Sequence, residues 1–294
     1  MAESLFDSEF LKRLEYLSLV SRRVFRGQLL AQRRTKQLGG GIEFADHREY
    51  SAGDDLRYVD WNIFARYNDL LLKRFQEEED LHVYILLDCS LSMDVGEPNK
   101  FDYARRVAAA LSYIALADLD RVSILAYSDQ VQSVLPMTRG KDRILTVLKF
   151  LDDLPASGER TNLFAAAKAL VHRAQRTGLV LVISDLFDQE GFRSGVDMLR
   201  HRKFEPHVVQ LHSREEANPT WLGDIELDEI ETGERKKITI TERKLKQYRE
   251  LFTEFLDGVD TYCRHYSMGC TRTVTELPFD ELILRMMRAS ALAS

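Results

Sequence analysis

The chain has 294 residues, 45% hydrophobic and 30% charged, with a formal net charge of -6 at pH 7. That length and composition suit one large globular domain with an attached subdomain and exclude fibrous and disordered classes. The acidic balance also argues against a nucleic-acid binder.

The start, Met1 to Glu9, has neither the basic nor the apolar region of a secretory leader. The longest mostly apolar run, Val107 to Ala117, is too short to cross a bilayer. Cys89, Cys263 and Cys270 form no Cys-x-x-Cys pair, and no histidines stand at zinc-binding spacing. A cytoplasmic protein is expected. No Gly-rich phosphate loop ending in Gly-Lys-Ser/Thr is present, so nucleotide energy would have to come from a partner.

From Phe10 to Ala31, Leu11, Leu14, Leu17, Val20, Val24 and Leu29 recur at helical spacing, which predicts two helices broken near Gly27. Residues Lys12 to Lys36 hold eight Lys/Arg against one acid, Glu15. We read them as a solvated helix face, with peripheral membrane contact as the alternative. Gly39 to Gly41 form a joint before Ile42 to Glu79, a charge-dense stretch of short extended segments.

Beyond the acidic run Glu77 to Asp80 the pattern becomes α/β. Val83 to Leu87 is an apolar run ending at Asp88, as expected of a strand buried on both faces. A helix follows over Lys100 to Leu119, then strands Val122 to Tyr127 and Val131 to Leu135. Only three residues separate those strands, too few for a parallel crossover, so they should form an antiparallel hairpin at a sheet edge. Helices over Lys141 to Leu151, Leu163 to Arg176 and Arg193 to Arg202 alternate with strands Leu179 to Ser184 and His207 to Leu211. The tail reads as a hairpin across Glu231 to Arg235, a helix from Glu242 to His265, a short strand Thr271 to Thr275 and a helix Asp280 to Ala289. The expected architecture is a doubly wound, mostly parallel sheet with one antiparallel edge strand. Three regions are expected: 1–80, with N-terminal helices and a charged β-rich segment; 81–213, the α/β domain; and 214–294, a hairpin and helices packing on it.

Ligands of open α/β sheets bind beyond the carboxyl ends of strands. There, Asp88-Cys89-Ser90-Leu91-Ser92 offers a carboxylate and two hydroxyls at alternate positions. Asp185 ends a second buried strand, and Thr161 precedes a helix. Few, hard oxygen ligands suit Mg²⁺, with Mn²⁺ or Ca²⁺ as alternatives. Cys89 alternates with these donors and should turn into the core. Upstream, Asp54, Asp55 and Asp60 stand among Arg48, Arg57 and Arg66, and we read the six as a structural ion-pair lattice, with Tyr58 and Trp61 as anchors.

The Asp-x-Ser-x-Ser motif with the later Thr161 and Asp185 resembles the metal-ion-dependent adhesion site of von Willebrand factor A domains. Arg48-Glu49-Tyr50, Gly53-Asp54-Asp55, Arg57, Asp60-Trp61 and Ala65-Arg66 resemble the bacterial family called domain of unknown function fifty-eight. The resemblance implies a von Willebrand factor A-like fold and one divalent cation held by Asp88, Ser90, Ser92, Thr161 and Asp185. It also implies a protein partner bound through a carboxylate at the metal: a MoxR-like AAA+ ATPase, beside which such proteins are commonly encoded, or its client. Binding without turnover is expected. The alternative is a Mg²⁺-dependent phosphoester hydrolase, for which Glu159 is the one candidate base.

Overall fold

A computed structural model describes residues 5–17, 43–76, 80–158, 160–188, 191–228 and 235–292. Its contacts divide the chain into two compact units, Phe25–Asp80 and a larger one in which Met1–Val24 joins Leu81–Ser294.

The larger unit begins with helix α1, described over residues 8–17. Phe10, Leu14 and Leu17 are buried along one face, at steps of four and three residues. Leu11, expected in that stripe, is exposed, so the stripe runs through Phe10 instead. The remainder of the predicted helical pair, including Gly27 and most of the basic run, lies outside the described residues.

In the smaller unit, β1 (Glu43–Glu49) pairs antiparallel with β2 (Leu71–Gln76), and helix α2 (Trp61–Tyr67) lies between them in sequence. The sequence reading gave only extended segments here and missed this short helix. Asp60 caps it, accepting the Asn62 amide at 3.0 Å.

The main sheet has the order β10-β7-β6-β3-β4-β5. Its strands are β3 (His82–Asp88), β4 (Arg121–Tyr127), β5 (Val131–Arg139), β6 (Leu179–Ser184), β7 (Glu205–His212) and β10 (Gly269–Val274). All pair in parallel except β5, which runs antiparallel to β4 at one edge. The expected fold class is therefore observed. The short strand of the tail, seen in the sequence without a partner, is the opposite edge of this sheet. A small separate sheet joins β8 (Gly223–Asp228) to β9 (Arg235–Ile240). The turn predicted between them lies largely outside the described residues.

Helices α3 (Lys100–Ala117), α4 (Ile144–Asp152), α5 (Leu163–Arg173), α6 (Phe192–His201), α7 (Arg214–Ala217), α8 (Glu242–His265) and α9 (Phe279–Leu292) complete the unit. Side chains alternate across strands, so Tyr84, Leu86, Val180, Val182 and Val208 share one face and pack with α5, α6 and α8. Ile85, Leu87, Ile183 and Val209 are equally buried and face the other way, where α3 packs against α4 and α9. Gly178 is required before β6, because a Cβ there would lie 2.0 Å from the His82 carbonyl oxygen.

The strand order reverses at β3, with β4 on one side and β6 on the other. Helices leave in opposite directions at such a point, opening a crevice at the carboxyl ends of β3 and β6. Asp88 ends β3, and Asp185 directly follows β6.

Candidate metal centre

Asp88, Ser90, Ser92 and Asp185 are joined in one hydrogen-bonded chain. The Ser90 amide donates to Asp88 Oδ1 at 3.0 Å, the Ser90 and Ser92 hydroxyls lie 3.0 Å apart, and Ser92 Oγ donates to Asp185 Oδ2 at 3.0 Å. Residues 93 apart in sequence thus meet because β3 and β6 are neighbours in the sheet. Asp88, Ser90, Thr161 and Asp185 are all buried, and Ser92 is half-buried.

Thr161 reaches the same end of the sheet through a stapled loop. The Ser157 amide donates to the Cys89 carbonyl at 2.7 Å, the Leu91 amide to the Gly158 carbonyl at 3.3 Å, and the Asn162 amide to the Ser128 carbonyl at 2.8 Å. Gly158 takes φ +99°, and a Cβ there would strike the Ser128 hydroxyl at 2.2 Å. Asn162 then caps α5 through the Ala165 amide. Among the described residues the buried Thr161 Oγ1 has no hydrogen-bond partner. A buried hydroxyl without a partner is unfavourable unless something absent from the polypeptide satisfies it.

Two neighbours were not singled out in the sequence. Ser184 donates to Asp88 Oδ2 at 2.6 Å and accepts the Leu186 amide at 2.8 Å, fixing the carboxylate. Lys100, the first residue of α3, is wholly buried and places its ammonium 2.8 Å from Asp185 Oδ2 and against Glu216 of α7. Glu216 is itself held by a capping box, in which its Oε2 accepts the Ser213 amide at 2.7 Å. No local pattern marks a lysine as the partner of carboxylates 85 and 116 residues away.

Burial, and then the charge of Asp185, push the Asp88 carboxyl up to about 7. Lys100 stays above the ordinary lysine value: burial pulls it down, but Asp185 and Glu216 outweigh that. Cys89 turns inward as expected. Its Sγ donates to the Tyr127 carbonyl at 3.2 Å, and burial pushes the thiol up to about 12, far from a nucleophilic thiolate.

The donors are two carboxylates and three hydroxyls, hard oxygens that fit a small divalent cation. Among the described residues no group of three or more His, Cys, Asp or Glu side chains could hold a metal, so ion binding here would need the hydroxyls. The unpartnered Thr161 Oγ1 agrees with that fit. Lys100 opposes it in part, because its charge already occupies Asp185.

The expected lattice of the smaller unit resolves into separate contacts. Arg48 pairs with Asp54 at 2.5 Å, and Arg57 pairs with Asp55 at 2.6 Å on the surface, each within a few residues of chain. Asp60, besides capping α2, meets His47 at 3.0 Å and Lys73 at 3.5 Å. Arg66 is exposed and pairs with none of these carboxylates among the described residues. Asp54 and Asp55 took nearby arginines while Asp60 took His47 of β1 and Lys73 of β2, which counting charges does not reveal. Trp61 is likewise exposed and packs edge-on against Phe64 of its own helix. Asp60→Ala, which removes a helix cap and the contacts with His47 and Lys73, is expected to lower the melting temperature, whereas Asp55→Ala should melt like wild type. Thermal scans of the two variants side by side check this.

Residues 46–254 match the model of the family described as Protein of unknown function DUF58. The chain belongs to this family. Among curated proteins, this DUF58 member is 26% identical over 206 residues to the uncharacterized proteins Rv1480 of Mycobacterium tuberculosis and Mb1516 of Mycobacterium bovis. The match covers 69% of the DUF58 chain but 65% of each relative, less than two thirds of their length.

Solved structures similar to it include the conserved hypothetical protein BatB from Bacteroides thetaiotaomicron, at 17% identity and TM-score 0.46, covering 72% of this chain and 99% of that one. A von Willebrand factor type A protein from Catenulispora acidiphila is similar at 13% identity and TM-score 0.42, over 76% and 44% of the two chains. Proximal thread matrix protein 1 of the mussel byssus, in a form with a zinc-occupied MIDAS motif, is similar at 12% identity and TM-score 0.42, over 73% and 48%. The main sheet of this DUF58 protein is mostly parallel with one antiparallel edge strand. Among its described residues no helix is long and apolar enough to cross a membrane.

Proposed function

We propose that this protein is a metal-dependent protein-interaction module, in which Asp88, Ser90, Ser92, Thr161 and Asp185 hold one divalent cation, Mg²⁺ foremost. The observation that carries the reading is the run of hard oxygens from Asp88 to Asp185, together with the buried Thr161 hydroxyl that has no partner among the described residues. A bound cation supplies an open coordination position that a carboxylate from outside can fill. Asp88 and Asp185 bring charge, Ser90, Ser92 and Thr161 bring neutral oxygens, and Ser184 keeps the Asp88 carboxylate oriented. With three neutral donors against two acids, the ion stays electrophilic enough to attract an acidic partner group.

Recognition is favoured over hydrolysis by the groups that line the centre. Cys89 is turned away and protonated, Ser184 is committed to Asp88, and Lys100 is held by two carboxylates. Among the described residues none of these is placed as a base for water, and Glu159, the candidate base of the alternative, lies outside the described residues. The partner we propose is a MoxR-like AAA+ ATPase or its client, presenting an Asp or Glu to the ion.

Purified MoxR-type ATPase should be retained on the immobilised protein in Mg²⁺ and released by EDTA or by Asp88→Ala. Retention unaffected by both EDTA and Asp88→Ala would sink the metal-dependent reading. Phosphodiesterase turnover that needs Mg²⁺ and disappears in Asp88→Ala would replace it with the hydrolase.

A further inference from the structure

A metal centre of oxygen donors has no need of an ammonium, yet Lys100 is buried completely and its nitrogen lies 2.8 Å from Asp185 Oδ2. Removing an ammonium from water carries a large penalty, which carboxylate partners can offset. Here two do so, Asp185 and Glu216, and the Phe187 ring lies 5.4 Å from the same nitrogen.

Oδ2 of Asp185 is already taken. Oδ1 accepts the Phe187 amide at 3.1 Å, while Oδ2 accepts both Ser92 Oγ and Lys100 Nζ. Two donors fill the lone pairs of Oδ2, so a cation can reach that oxygen only if one of them gives way. The Ser92 hydroxyl can rotate and offer its own oxygen to the ion. Lys100 cannot become a ligand, because an ammonium has no lone pair.

Glu216 provides the place to which Lys100 can withdraw. Its Oε2 is fixed by the Ser213 amide, and its Oε1 already touches the ammonium. The segment bearing it is held closely, for a Cβ on Gly96 would lie 2.9 Å from that of Ser213.

We infer that Lys100 is the resident counter-cation of this centre: it neutralises Asp185 while no metal is bound, competes with the divalent ion for Oδ2, and retreats onto Glu216 when the ion enters. We rest this on the cation reading above and extend it, since it makes Lys100 and Glu216 the residues that set how tightly the ion is held. A fixed positive charge within a few ångströms of the ion weakens binding directly. An ion held loosely by the protein alone is then held better once an acidic partner adds its own charge.

Mn²⁺ uptake by the full chain, read by electron paramagnetic resonance of the free ion, tests this in wild type, Lys100→Gln and Glu216→Gln. Lys100→Gln is expected to bind Mn²⁺ about tenfold more tightly, because the competing charge is gone while an amide can still donate to Asp185. Glu216→Gln is expected to bind more weakly, because Lys100 is left with Asp185 alone. A folded Lys100→Gln, checked by circular dichroism, that bound Mn²⁺ no better than wild type would overturn the inference and leave the cation reading standing. If Lys100→Gln does not fold, Glu216→Gln decides, and unchanged or tighter binding overturns it. Absence of uptake by all three proteins would overturn the inference together with the cation reading.

Discussion

Asp88→Asn is expected to abolish divalent cation uptake and, in chelator, to stabilise the protein at about pH 8 while changing little at about pH 4. Asp88 is fully buried, and burial together with Asp185 raises its carboxyl from the ordinary value to about 7. Between those values the folded chain keeps a proton that the unfolded chain has lost. Stability in chelator therefore falls as pH rises from about 4 to about 7 and is level above that. The effect of a shift this large is on the order of a few kcal/mol. Asn carries no charge to desolvate, so the variant should lose most of this slope. A cation reverses the situation in wild type, since it stabilises the ionised carboxylate, and its affinity should climb as pH approaches 7. Calorimetric titration with Mg²⁺ and denaturant midpoints across the pH range measure both halves. Equal Mg²⁺ uptake by wild type and Asp88→Asn would defeat the ligand assignment.

Asp185→Ala should be the most destabilising change at the centre, by about 3 kcal/mol, because it leaves a buried charge with one of its two carboxylate partners gone. The carboxylate receives Lys100 Nζ, Ser92 Oγ and the Phe187 amide, so its loss takes an acceptor from three donors at once. Asp185→Asn keeps the shape and one good acceptor, and should cost visibly less. Urea unfolding in chelator separates this from any effect of the ion. A midpoint for Asp185→Ala equal to that of wild type would mean that Glu216 alone satisfies Lys100.

The central sheet was legible because β3, β4 and β6 are buried on both faces and so carry predominantly apolar runs. The antiparallel edge was legible from the short Ser128-Asp129-Gln130 link, which forbids a crossover. What pattern could not supply was partnership over distance. Thr271 to Thr275 read as a strand, but nothing in Gly269–Val274 says that it lies beside Glu205–His212. Among the candidate ligands, Asp88, Ser90 and Ser92 come from one motif and Asp185 from a strand end, features a sequence displays. Lys100 and Glu216 were missed because each looks ordinary locally, one opening a helix and the other closing a capping box.

The packing of α1 has a consequence for the order in which the molecule is made. Phe10 lies 4.8 Å from Phe279, and Arg13 lies 3.6 Å from Asp280. Phe10 leaves the ribosome well before its cover in α9, which is the last described helix to emerge. The same is true of β7, whose outer edge waits for β10. During synthesis the growing chain therefore exposes an uncovered helix face and an unpaired parallel strand, which invite association with other chains. Completion of the last elements closes both together.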